Sequence, residues 1–82
     1  MCRNITELRG LEPPATTEEI EAAARQYVRK VSGFTRPSSA NAEAFEAAVA
    51  EVAATTTRLL DTLPGRRQPP KTDPPLRRLA TR

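Results

Sequence analysis

Residues 16–34, TTEEIEAAARQYVRKVSGF, carry a helix start, an apolar stripe and a helix stop in one unbroken stretch, so the rest of the chain must pack on that helix. Thr16 followed three residues later by Glu19 is a capping box. The threonine hydroxyl and the glutamate carboxylate each satisfy a backbone N–H that the first turn leaves unpaired. The helix is therefore expected to begin at Thr17. Ile20, Ala24, Tyr27 and Val31 recur at steps of four, three and four, and Ala23 and Val28 widen the apolar face they make. Glu18, Glu19 and Glu21 near the first turn and Arg29 and Lys30 in the last place each charge where the helix dipole favours it. Glu21 and Arg25 add an i,i+4 pair. Gly33 suits the left-handed position after the last turn, and Phe34 is placed to fold back toward Val28 as a Schellman end.

Upstream, Ile5, Leu8 and Leu11 stand three apart, which predicts a short helical or 3₁₀ segment laid across the main helix. Gly10 and the Pro13-Pro14 pair end it, and the residue before each proline is pushed toward an extended conformation that leads into the Thr16 cap. Downstream, residues 32–40, SGFTRPSSA, read as a loop. A second helix is expected over about 41–63, with Ser38, Ser39 and Asn41 all acceptable caps. Its stripe of Phe45, Val49, Val52, Thr56, Leu59 and Leu63 is close to a 3.5-residue period, and Pro64-Gly65 stops it. Two helices of about 24 and 35 Å, at about 1.5 Å per residue, joined by so short a loop predict an antiparallel hairpin.

Charge and proline divide the chain. Residues 1–63 hold seven Lys/Arg against nine Asp/Glu, net −2, whereas residues 64–82 hold six against one, net +5, together with five of the eight prolines. The expected organisation is thus a small helical domain over 1–63 and a disordered, basic, proline-rich tail over 64–82. Chains of this size bury only about 60% of their unfolded surface and are marginal alone. A hairpin also leaves part of each stripe uncovered, so a homodimer resembling a four-helix bundle is expected. No run approaches the roughly 20 apolar residues of a membrane span, and the first ten residues lack the apolar centre of a signal peptide, which makes the cytoplasm the expected location. With no histidine and one cysteine, an internal disulfide and a multi-cysteine zinc site are excluded, and no cofactor or catalytic constellation is recognisable.

The words MCRNI, LRGLEPPAT, QYVRKVSGF and RPSSAN before AFEAAV occur here in that order. In this the chain resembles a family of short, mainly bacterial proteins known as the domain of unknown function numbered twenty-two seventy-seven. The resemblance covers roughly residues 1–63 and implies no activity, cofactor or catalytic residue.

Three candidate sites follow from the residues themselves. Cys2 with Arg3 beside it would be a reactive thiol, and otherwise a small apolar residue tucked near Ile5. Arg3, Arg29, Lys30, Phe34, Arg36 and Ser38, with Arg25 nearby, would form a partner- or anion-binding surface around the far end of the first helix, and otherwise a solvated face. Arg66, Arg67, Lys71, Arg77, Arg78 and Arg82 would bind nucleic-acid phosphates without sequence preference by releasing counterions. The function expected first is a small non-enzymatic interaction or homo-oligomerisation module. Non-specific nucleic-acid or anion binding through the tail comes second, and thiol redox or metal chemistry at Cys2 third.

Overall fold

A computed structural model describes residues 4–80 of the chain, with side chains through residue 77. Three helices occur among them: α1 over Thr17–Ser32, α2 over Ser39–Thr62 and α3 over Pro75–Ala80. The first two pack together as a helical hairpin.

Helix α1 starts where the capping box requires. The Glu19 backbone N–H donates to Thr16 Oγ1 at 3.1 Å, and the Thr16 N–H donates to Glu19 Oε1 at 2.8 Å. At the other end Gly33 takes a left-handed conformation, φ 78°, and its N–H donates to the Arg29 carbonyl at 3.0 Å. Phe34 does not complete the expected Schellman pattern, because its N–H donates to Ser32 Oγ at 3.2 Å. The serine hydroxyl competes locally for that donor, and a single left-handed cap results.

Helix α2 begins at Ser39, two residues before the expected position. Ser38 stands outside it as cap residue but makes no side-chain bond to the backbone of the first turn. Its hydroxyl instead accepts from Asn41 Nδ2 at 3.2 Å. Thr56, Thr57 and Thr62 return their hydroxyls to the carbonyls of Val52, Ala53 and Arg58, four residues back, so the threonine-rich stretch stays helical with its polar groups satisfied.

The apolar interior has two parts. Ala24 and Val28 of α1 meet Phe45 and Val49 of α2, flanked by Val52 and Ala53. Ile20 meets Leu8 and Leu11 of the N-terminal segment, flanked by Ala15, Ala53 and Leu60. The interior positions advance in fours: 20, 24 and 28, all buried, on α1, and buried 45 and 49 followed by half-buried 53 on α2. The heptad seam expected through Leu59 and Leu63 therefore does not close the pair. Leu59 is 53% exposed, and Leu60 sits against the interior instead. At 3.6 residues per turn Leu59 lies about 40° behind Phe45 around the helix and Leu60 about 60° ahead, and because the interior stripe steps forward through Val49 and Ala53, Leu60 falls on its side. Tyr27 and Val31 of the α1 stripe are likewise exposed.

The N-terminal segment contains no helix between residues 4 and 15. The Leu11 N–H donates to the Leu8 carbonyl at 3.4 Å around Gly10 in a left-handed conformation, φ 84°. A left-handed residue cannot propagate a right-handed helix, so one turn forms and stops. That turn sends Leu8 and Leu11 into the interior. The Asn4 N–H, bonded to Gln26 Oε1 at 2.6 Å, ties the start of the segment to α1.

Residues 64–80 run back toward the N-terminal segment. Pro74 is buried, and the Arg77 N–H donates to the Pro74 carbonyl at 3.0 Å as α3 begins. Two of its arginines meet carboxylates, Arg66 at Glu7 and Arg77 at Glu19.

Because so few apolar side chains are buried, each carries a large share of a stability of about 5–15 kcal/mol. Phe45→Ala is expected to cost about 3–5 kcal/mol in urea denaturation. Val31→Ala, at a position on the α1 sequence stripe but 65% exposed, is expected to stay within about 0.5 kcal/mol.

Candidate functional site

The surface expected around the end of α1 is in place as exposed side chains and no more. Arg29, Lys30, Phe34, Arg36 and Ser38 are all exposed, and no described hydrogen bond joins any two of them. The organised charge nearby is Arg25, which bridges the two helices. Its Nη1 and Nη2 donate to both carboxylate oxygens of Glu46 at 2.7 and 2.8 Å, and Nη2 lies 3.8 Å from Glu21 Oε1. The guanidinium also stands 6.0 Å from the centroid of the Phe45 ring, at the outer limit of a cation–π contact. Hydrogen bonding to Arg25 holds the Glu46 carboxyl below its ordinary range, with a smaller contribution from the Arg29 charge. Arg25 is thus a clasp across one edge of the hairpin. Cys2 and Arg3 lie outside the described residues, as does Arg82, and the Arg78 side chain is likewise not described. Among the described residues no three His, Cys, Asp or Glu side chains come together as a metal site.

On the C-terminal segment the cations divide into two kinds. Arg67 and Lys71 are exposed. Arg66 and Arg77 reach back to the hairpin, 59 and 58 residues away in sequence. Arg66 Nη1 donates to Glu7 Oε2 at 2.7 Å, and its aliphatic stem lies over Gly10 so closely that a Cβ there would sit 2.8 Å from Arg66 Cδ. Glycine is therefore required at position 10 both for its positive φ and for this approach.

Arg77 is held more completely. Its Nε and Nη2 donate to Glu19 Oε2 and Oε1 at 3.0 and 2.8 Å, and Nη1 and Nη2 donate to the carbonyls of Pro13 and Pro14 at 2.9 and 3.3 Å. The Glu19 side chain is 4% exposed and that of Arg77 13%. Burial pushes the Glu19 carboxyl up, but the Thr16 N–H and the Arg77 guanidinium outweigh it, and the group is held below its ordinary value of 4.5. Both carboxylate oxygens are engaged as acceptors, so Glu19 holds charge in place and is not free to carry a proton. The capping box makes Glu19 legible in the sequence, but nothing local to it announces a second, distant partner.

The remaining feature is apolar. Ile5, Thr6, Ala23, Tyr27, Val52 and Thr56 surround an open groove of about 290 Å³ between the N-terminal segment and the two helices. Tyr27 is 49% exposed on its rim, and Thr6 Oγ1 is buried in its wall without a hydrogen-bond partner. This groove lies outside every site expected from the sequence.

Compared with known families, the sequence matches DUF2277, described as an uncharacterised conserved protein, over residues 1–82. The chain belongs to that family. The DUF2277 match takes in the basic segment, which the resemblance read from the sequence had left outside at residue 63. Both partners of the Glu19–Arg77 contact therefore fall within the DUF2277 domain. No curated protein and no solved structure matches the chain.

A carboxyl group whose folded value is depressed stabilises the fold fully above its ordinary value, and that contribution is lost as pH falls through the lower folded value. The carbon-detected titration of Glu19 is therefore expected to have its midpoint below 4.5, with stability falling away over the same acidic range. Arg77→Gln should move the midpoint upward.

Proposed function

We propose that the protein is a small non-enzymatic interaction module, working in the cytoplasm, that pairs with a second copy of itself through the groove face of the hairpin. The observation that carries this reading is the grouping of exposed apolar side chains there. Ile5 and Tyr27 stand 43% and 49% exposed on the groove rim, and Leu59, one turn of α2 past Thr56 in the groove wall, is 53% exposed. With only seven buried apolar side chains among the described residues, the fold gains from covering such a face. Two-fold pairing fits because it buries the same patch on both copies and closes upon itself.

Nucleic-acid or anion binding through the basic segment has weaker support. Arg66 and Arg77 already place their charges on Glu7 and Glu19, so phosphate contacts would have to displace them. Among the described residues no helix is long and apolar enough to cross a membrane.

Sedimentation equilibrium tests the reading. The full-length chain is expected to run as a dimer at micromolar concentration, and Leu59→Glu as a monomer of unchanged helix content. A wild-type chain that remains a folded monomer at millimolar concentration contradicts it.

A further inference from the structure

The contact between Arg77 and the approach to α1 has the form of a receptor and its ligand. Four directed N–H bonds from one guanidinium end on four acceptor contacts: two at the Glu19 carboxylate, one at the Pro13 carbonyl and one at the Pro14 carbonyl. Planar guanidinium is matched by this set in a way that an ammonium is not. Nor does general electrostatics bring a cation here, since the start of α1 is the positive end of its dipole and repels one. The Glu19 charge reverses that preference locally. The contact differs in kind from the other ion pair of the segment, whose acceptor, Glu7, is 72% exposed and worth little.

The acceptor arrangement does not depend on Arg77. Pro13 and Pro14 present their carbonyls from the bend at residues 12–13 that leads to the Thr16 cap. Glu19 is placed by its own bond to the Thr16 N–H. The cradle is thus built by the hairpin, and the five prolines between residues 64 and 75 reduce the conformational freedom the segment gives up on reaching it.

We propose that the elbow formed by Pro13, Pro14 and Glu19 is a guanidinium-binding site, and that Arg77 occupies it as the buckle of a strap formed by residues 64–80. The charge on Glu19 closes the strap, and its capping bond starts the helix. These two roles are separable. Glutamine at position 19 still accepts the Thr16 N–H, as the capping box allows for Glu or Gln, but it carries no charge to hold the buckle. This inference is independent of the pairing face, which lies on the groove between the helices.

The test uses the full-length chain with Glu19→Gln, Arg77→Gln, Arg77→Lys and the Glu19→Gln/Arg77→Gln double variant. Readouts are amide hydrogen exchange over residues 66–80 and the rate of tryptic cleavage after Lys71. Each single substitution is expected to speed exchange and cleavage about tenfold or more, with lysine no better than glutamine and the double variant no faster than either single. The Thr16 and Glu19 amides should keep their protection in Glu19→Gln. Wild-type rates in Arg77→Gln, full protection in Arg77→Lys, or additive effects in the double variant would overturn the proposal. Arg77 lies outside the hairpin interior, so its two variants decide the matter even if Glu19→Gln fails to fold.

Discussion

A carboxylate with almost no access to water must have every lone pair met, and the Glu19 carboxylate imposes that demand at the start of α1. One oxygen accepts the Thr16 N–H, and the two together take the Arg77 fork. Around this single group the chain joins the proline elbow and the adjoining first turn of α1 to a C-terminal segment 58 residues away. Removing either partner of such a pair costs more than the pair contributes, because the other charge is left buried and alone. The fold is therefore held at this corner by a polar contact and elsewhere by a thin apolar interior.

That interior explains the shape of the rest. Alanine at positions 24, 48 and 53 lets the helices approach closely, but it supplies little area, and Phe45 provides the one large ring among the buried residues. The N-terminal segment adds Leu8 and Leu11 to cover the Ile20 end, where the helices alone would leave an opening. One long edge is clasped by Arg25 and Glu46. The groove face is left with Tyr27 and Leu59 outward, so one edge of the hairpin is clasped and another presents apolar side chains to water.

Local chemistry was legible in the sequence, and long-range chemistry was not. The bounds of α1 follow from Thr16, Glu19 and Gly33, whose effects act within one turn, and the structure places them as expected. The hairpin follows from two amphipathic stretches and a short loop. Leu59 was misplaced because the helices meet along a stripe that advances in fours, whereas a seven-residue repeat falls behind such a stripe. The N-terminal leucines were spaced for a helical turn, but left-handed Gly10 allows a single turn only. The family resemblance stopped at residue 63 because the words that carry it end there, whereas the match runs to residue 82. The partner of Arg77 was not legible, because composition counts charges without their partners and its carboxylate lies 58 residues away. The groove was not foreseen either, since it depends on where Ile5 and Thr6 cross α1.

The most direct test of this account is the Arg77 side chain itself, observed by nitrogen-15 NMR of the full-length chain at neutral pH. A guanidinium held by Glu19 and two proline carbonyls has an Nε proton protected from water, so a sharp, slowly exchanging Arg77 signal is predicted, with nuclear Overhauser contacts to Pro13 and Glu19. Arg67, which is exposed, serves as the reference in the same spectrum. An Arg77 Nε proton that exchanges as fast as that of Arg67 and shows no contact to Glu19 would contradict the account.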